Sequence, residues 1–262
     1  MLVDSHCHLN YPSLAKDRNG ILDRARQAGV KRFITVTAML KSFKETQEIV
    51  AAYDDVYGSV GVHPHHASEE GEYVTADHLI KLSNTTKIVA LGETGLDYFY
   101  DHSPHDEQQR NFREHIRACI ATGLPLIVHS RDAEDDTIRI LHEEGAGQGN
   151  ALKGVIHCFS SRRKLAEEAL AIGFYISVSG ILTFKKSGEI RSIVRDVPMD
   201  SLLVETDAPY LAPEPFRGKI CEPAYVVHTA RTLAEVKGVG YDEIARQTTA
   251  NFFRLFDKVP PI

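Results

Sequence analysis

Eight short apolar runs recur along the chain, and the segments between them carry helical patterns. The runs are MLVDSHCHL, RFITVTAM, VYGSVGVHP, KIVALGETG, LPLIVHS, GVIHCFS, FYISVSG and LLVETDAP. Several are dense in Val and Ile, as strands buried on both faces tend to be. Between the fourth and fifth runs, Ser103-Pro104 offers a helix start: serine as N-cap, proline at the first helical position, acids in the first turn. Phe112, Ile116 and Ile120 follow at a spacing of four, and Gly123 supplies a stop. A second helix is expected over residues 162–172, ended by Gly173.

Eight strand-then-helix units in 262 residues predict an α/β protein, a single (β/α)8 TIM barrel over residues 1–262. The competing arrangement is an open doubly wound sheet. No GxGxxG or Walker sequence follows any run, so no nucleotide cofactor is expected. No Pro/Ser/Gly-rich linker divides the chain, and a composition of 43% hydrophobic and 25% charged residues suits one large core. The start lacks the basic-then-apolar pattern of a leader, and no apolar run is long enough to span a bilayer. Cys7, Cys119, Cys158 and Cys221 are scattered without a CxxC pair, which suits reduced thiols. These features point to a cytoplasmic protein with no membrane partner, a monomer by default. A net charge of -6 excludes a broad non-specific nucleic-acid coat but leaves room for a local basic site.

The ends of the runs carry the chemistry. The stretch DSHCHLN holds His6 and His8 with one residue between them. An H-x-H is weak by itself and occurs again as His63 and His65. On a strand, residues i and i+2 share a face. At the C-terminal end of a first barrel strand both would point inward, where barrel active sites lie. Other runs end in Glu93, His129, His157 and Asp207. Ionisable groups are costly to bury unless paired or metal-bound, so these six side chains are expected to converge as metal ligands. Six ligands suggest two divalent ions, with Glu93 able to bridge them and Asp207 able to take a proton from an attacking water. Glu93 and Asp207 are thus the expected catalytic residues. Imidazoles suit Zn, Mn or Fe and carboxylates admit Mg or Mn, so ligand type leaves the metal open.

Around these, His63 is expected near the site, as a phosphate contact or a support for a ligand, with His65 and His66 as loop residues. Asp97 and Tyr98 would contact substrate or shape their loop. Glu205 shares a strand face with Asp207 and would orient a ligand or a basic residue. Cys7 and Cys158 alternate away from ligand histidines and are expected to face the core. Basic residues follow the later runs: Arg131, Arg162, Arg163, Lys164, Lys185, Lys186, Arg217 and Lys219. Each alone reads as solvated charge; together on one barrel face they favour an anion site. Tyr11, Tyr98, Phe99, Tyr100, Phe159, Phe184 and Phe216 share these loops. They would anchor the loops or stack on the bases of a single-stranded nucleic acid. His63, Arg131, Tyr98 and Arg217 are the expected substrate contacts.

The D-x-H-x-H opening, GVHPH, GETGLDY, VHSRD, HCFS, ETDAPYL and the RGK-x-x-EPAYV stretch, in that order, resemble the TatD-family metal-dependent deoxyribonucleases, nearest the YcfH-like subgroup. The resemblance extends to NFFRLF near the C-terminus. It implies a TIM-barrel metal-dependent hydrolase with 3′-5′ exonuclease action on single-stranded DNA, working with Mg, Mn or Zn. It further implies that His6, His8, Glu93 and Asp207 hold one ion and that Glu93, His129 and His157 hold the other. In one departure, Cys221 stands where the family commonly has asparagine before the glutamate of this stretch. Two alternatives remain at this point. One is a barrel amidohydrolase or lactonase acting on a small molecule, although many such barrels bridge their metals with a modified lysine where this chain offers Glu93. The other is a metal-binding interaction module without activity, against which the intact ligand set argues.

Overall fold

Eight parallel strands follow one another around a barrel in chain order: β1 (Leu2–Cys7), β2 (Val30–Thr35), β3 (Val56–Val60), β4 (Ile88–Asp97), β5 (Leu126–Arg131), β6 (Gly154–Ile156), β7 (Tyr175–Val178) and β8 (Leu202–Val204). The structure is a computed structural model that describes residues 1–149 and 152–262. Each of the eight apolar runs holds one strand, and helical segments lie between them, as in a (β/α)8 barrel. The ring closes through the residues just past β8. Cys7 bridges Ala208, the His8 N–H donates to the Ala208 carbonyl at 2.7 Å, and the Asp207 N–H donates to the His6 carbonyl at 2.9 Å. Below that seam, Asp4 accepts the Thr206 N–H at 2.9 Å and the Thr206 hydroxyl at 2.6 Å. The closure therefore passes through three of the candidate ligands. Among the described residues no helix is long and apolar enough to cross a membrane.

The core has two parts. An inner cluster takes residues from seven strands, Val3, Ile34, Tyr57, Val89, Ile127, Val155 and Leu203 among them, with Tyr175 of β7 packed against it. Phe252, Leu255 and Phe256, at the end of the helix Tyr241–Leu255, complete it. Two residues on from Ile127, Val155 and Leu203 stand His129, His157 and Glu205. The period of two thus puts those polar groups one layer above the apolar floor, on the same inward face. The outer cluster packs the other strand faces, such as Val60, Val128 and Val204, against helix residues such as Leu22, Phe112 and Leu165.

The helix after β4 spans His105–Thr122 and ends at Gly123, whose φ of 69° lies in the left-handed region. Its start corrects the expected cap. Pro104, with φ of -52° and ψ of 143°, is the N-cap residue and no side chain caps the helix. The Ser103 hydroxyl instead donates to the His65 carbonyl at 3.0 Å and accepts the Ser68 N–H at 3.1 Å, which fastens the chain after β3. The helix Arg163–Ala171 has Arg162 as N-cap and Gly173 beyond its end, close to the expected bounds.

One helical stripe has no counterpart in the hydrophobic pattern. Gln108, Asn111 and His115 are all buried on the face that carries Phe112 and Ile116. Gln108 accepts the Asp97 N–H at 2.8 Å and donates to the Asp97 carbonyl at 3.1 Å. Asn111 donates to the Val62 carbonyl at 3.0 Å, and His115 accepts the Val62 N–H at 3.1 Å while donating to the Asn111 carbonyl at 2.8 Å. The helix thereby clamps the backbone at the exits of β3 and β4, where neither segment has sheet partners for all its groups.

Burial pushes the His115 imidazole from the ordinary 6.5 down to about 4. The unfolded chain takes up this proton near pH 6.5 and the folded chain only near pH 4, so stability is lost as pH falls through that window, by about 3 kcal/mol at pH 4. Denaturant unfolding of wild type and His115→Gln at pH 7 and pH 4 measures it. The advantage of wild type over the variant should shrink by about that amount at the lower pH; an unchanged gap would exclude the assignment.

Candidate metal centre

β4 is the longest strand and carries Glu93 across the barrel mouth between two glycines. Gly92 and Gly95 have φ of 121° and 136°, and a Cβ would lie 2.6 Å from the Ile127 carbonyl oxygen at the first and 2.0 Å from the His129 carbonyl oxygen at the second. Only glycine allows this backbone so close to β5. The Glu93 side chain is buried, and its two oxygens face different groups. Oε1 lies 2.7 Å from His157 Nε2, 3.1 Å from His129 Nδ1 and 3.3 Å from His63 Nε2. Oε2 lies 3.4 Å from His6 Nε2 and 3.8 Å from His8 Nε2. Asp207 Oδ1 is 3.4 Å from His8 Nε2 and 3.7 Å from His6 Nε2. All six side chains singled out as ligands therefore meet, in overlapping groups able to hold a metal ion: His6, Glu93 and His157; His6, His8 and Asp207; and His63, Glu93 and His129.

Hydrogen placement sorts these groups. His157 Nδ1 lies 3.2 Å from Glu205, and His129 Nε2 lies 3.0 Å from Asp97. Carboxylates only accept, so each ring can donate from that outer nitrogen, and its inner nitrogen, which faces Glu93, is the one able to exchange its hydrogen for an ion. His157 Nε2 is buried and faces Glu93 Oε1 at 2.7 Å. His63 is the reverse case. Its Nδ1 accepts the His65 N–H at 3.1 Å, so the neutral ring has its hydrogen on Nε2 and donates toward Glu93. Burial pushes His63 down to about 3, which keeps the ring neutral.

The local field favours a cation. Burial opposes charge on His157, yet Glu93 and Glu205 push it well above its ordinary range. Burial likewise opposes charge on Glu93, but His157, His63 and His129 hold it well below the usual carboxylate range. Buried carboxylates and imidazole nitrogens are the donor set of a divalent transition ion or Mg.

These groups open into a cavity of about 370 Å³ whose lining includes His63, Tyr100, Arg131, Cys158 and Tyr210. Arg131 is the one lining residue with a fixed positive charge. Its guanidinium stands 4.0 Å from the Phe99 ring centroid and 4.6 Å from that of Tyr100, and among the described residues it has no ion pair. Of the four expected substrate contacts, His63 and Arg131 line the cavity and Tyr98 and Arg217 do not. The Tyr98 hydroxyl donates to Asp136 at 2.7 Å while its ring stacks on His105, and Arg217 rests 3.7 Å from the Phe184 ring centroid. His65 and His66, expected to be loop residues, also line it. Cys7 is buried with its thiol on the Ile34 carbonyl, as expected. Cys158 is not core-facing: β6 ends at Ile156, and a φ of 46° sends the side chain to the cavity edge, 3.1 Å from the Ser179 hydroxyl. Cys221 is buried and lies outside the cavity lining.

Barrel, cavity and ligand set together define a metal-dependent hydrolase. The family model described as TatD related DNase matches residues 3–257. YcfH of Escherichia coli, an uncharacterized metal-dependent hydrolase, is 45% identical over 97% of this chain and 95% of its own. The 3′-5′ ssDNA/RNA exonuclease TatD of Escherichia fergusonii is 32% identical over 97% of this chain and 98% of its own. The crystal structure of YjjV, a TatD homolog from Escherichia coli, superposes with a TM-score of 0.91 at 30% identity, covering 99% of this chain and 98% of that one. The chain belongs to the TatD family of metal-dependent hydrolases.

A site that binds an ion only when folded adds stability by mass action, about 2.7 kcal/mol at a hundredfold excess over Kd. Added Mn or Zn should raise the unfolding midpoint of the metal-free protein by that order, and Glu93→Gln should abolish most of the shift. An equal shift in the variant would remove Glu93 from the site.

Proposed function

We propose that the chain is a divalent-metal-dependent phosphodiesterase that shortens single-stranded DNA from its 3′ end. The observation that carries this reading is the division of Glu93, one oxygen toward His6 and His8 and the other toward His129 and His157. On this reading His6, His8, Glu93 and Asp207 hold one ion, and Glu93, His129 and His157 hold a second. Bound divalent ions supply a water that ionises near neutral pH and positive charge for the oxygens of a displacement at phosphorus.

The protein's own groups do the rest. Burial opposes ionisation of Asp207, but His8, His6 and His157 hold it below the usual carboxylate range, so it is a carboxylate ready to accept a proton from the attacking water. His63 lines the cavity with its one hydrogen on Nε2, facing Glu93 Oε1 until a phosphate oxygen replaces that acceptor, and carries no charge. Arg131 places the one fixed cation of the cavity beside two exposed aromatic rings, a pairing that suits a phosphate with its neighbouring base. The exonuclease named among the relatives supports this choice of substrate.

A 5′-labelled single-stranded DNA oligonucleotide, incubated with Mg or Mn, should give a ladder shortening from the 3′ end, abolished by EDTA and by Glu93→Gln. A matched RNA strand defines the sugar preference. No shortening by folded, metal-loaded protein would sink the nuclease reading in favour of lactone or amide hydrolysis. Loss of a charge-assisted contact costs about 1.5–3 kcal/mol, so Arg131→Ala should raise KM for DNA roughly tenfold or more with a smaller change in kcat. An unaltered KM would remove Arg131 from phosphate binding.

A further inference from the structure

Two of the four ligand imidazoles are backed by buried carboxylates, and the two carboxylates are held in different ways. Asp97 Oδ2 accepts from His129 Nε2 at 3.0 Å and from His65 Nε2 at 2.9 Å. Its Oδ1 accepts the N–H groups of Phe99 at 3.1 Å and Tyr100 at 3.0 Å. Gln108 bonds both the N–H and the carbonyl of the same residue, so the backbone under the carboxylate is fixed as well. Glu205 is arranged otherwise. One oxygen, Oε1, faces both the Cys158 N–H at 2.7 Å and His157 Nδ1 at 3.2 Å, while Oε2 accepts the Ser177 hydroxyl at 2.5 Å.

We propose that Asp97 is a positioning residue that accepts the hydrogen of His129 on Nε2, so that Nδ1, the nitrogen facing Glu93, can give up its own to an ion, and that only a carboxylate can do this. The consequence for metal binding rests on the reading that His129 and Glu93 hold an ion. In an Asp97→Asn variant the amide oxygen must stay where the Phe99 and Tyr100 N–H groups point, because an amide NH2 there would face two donors. The amide nitrogen then turns on His129, donates to Nε2 and drives the ring hydrogen to Nδ1. Nδ1 can then give up that hydrogen to an ion only by setting an Nε2–H against the amide NH2. Glu205→Gln has no such effect. Its oxygen stays on Oε1 for the Cys158 N–H and still accepts from His157 Nδ1, and its amide nitrogen meets the Ser177 hydroxyl, which can accept. Two isosteric substitutions behind two ligands of the same ion are therefore expected to differ.

The order of variants separates this role from simple anchoring of the loop. Asparagine keeps the two backbone bonds that alanine loses, so anchoring makes Asp97→Ala the worse change. Tautomer control makes Asp97→Asn the worse, since alanine leaves Nε2 without a donor. Zinc affinity, from competition with a chromophoric chelator, should fall roughly 10- to 100-fold in Asp97→Asn, less in Asp97→Ala, and no more than a few-fold in Glu205→Gln. Long-range ¹H–¹⁵N spectra should show His129 protonated on Nε2 and bound through Nδ1 in zinc-loaded wild type, and protonated on Nδ1 in metal-free Asp97→Asn taken above the pH at which the rings titrate. Wild-type zinc affinity in Asp97→Asn, a larger loss in the alanine variant, or an unmoved hydrogen would each overturn the proposal. Should Asp97→Asn fail to fold by circular dichroism, the spectrum of zinc-loaded wild type decides: coordination through Nδ1 upholds the proposal and coordination through Nε2 overturns it. If wild type binds no divalent ion while Asp97→Asn carries its His129 hydrogen on Nδ1, the metal reading fails and the control by Asp97 stands.

Discussion

Glu93 is a carboxylate at 3% exposure with an imidazole nitrogen within 4 Å of each oxygen. Removing such a charge from water costs several kcal/mol unless positive charge or hydrogen bonds replace the lost hydration. Much of the upper barrel is arranged around that requirement. Gly92 and Gly95 let β4 pass against β5 closely enough to hold the carboxylate over the barrel axis. β5 and β6 bring His129 and His157 to one oxygen, and the seam between β1 and the end of β8 brings His6 and His8 to the other. A barrel that failed to close would lose Asp207 from the site, because the bonds that close it include Asp207 N–H to the His6 carbonyl.

The layers below explain how such a site can be kept in place. The inner apolar cluster fixes the spacing of the strands, and the next inward residue on β5, β6 and β8 is polar. Two side chains at the mouth sit on unfavourable backbone: Asp207 has a φ of 59° and Cys158 one of 46°. Such conformations cost on the order of 1–3 kcal/mol each and persist only when neighbours over-determine them. Here the Asp207 N–H is tied to His6 and the Cys158 N–H to Glu205. The buried stripe of Gln108, Asn111 and His115 does the same for the exits of β3 and β4 from outside the barrel. Backbone held by hydrogen bonds at these strand exits is what lets six side chains from five strands meet.

The strands and the ligands were legible in the chain for one reason. Apolar runs that end in histidine or a carboxylate break the rule that buried ionisable groups are costly, and position at a strand end is a one-dimensional property. The rest depends on where hydrogens and rings lie in three dimensions. Tyr98 and Arg217 sit beside the right motifs, but Asp136 and Phe184 compete for them and hold them away from the cavity. Ser103 has the sequence of a helix cap, yet the carbonyl of His65, distant in the chain, takes its hydroxyl. Cys158 follows an alternation that ends with β6, two residues before it. Gln108, Asn111 and His115 read as polar interruptions of an apolar face, and nothing in their spacing says that two strand exits need backbone partners there.

The three imidazoles around Glu93 Oε1 show why residue type and distance do not by themselves assign a role. His63, His129 and His157 each bring a ring nitrogen within 3.3 Å of that oxygen. They differ at the other nitrogen. His129 and His157 have carboxylates there, which accept a hydrogen, so each can yield its inner nitrogen to an ion. His63 has a backbone N–H there, which donates, so it turns a hydrogen inward. On the proposed reading, one carboxylate oxygen thus organises two metal ligands and one hydrogen-bond donor to the substrate. The distinction is made one bond behind the site, by Asp97, Glu205 and the amide of His65. It follows that the chemistry of this centre is set as much by what stands behind its histidines as by the histidines themselves.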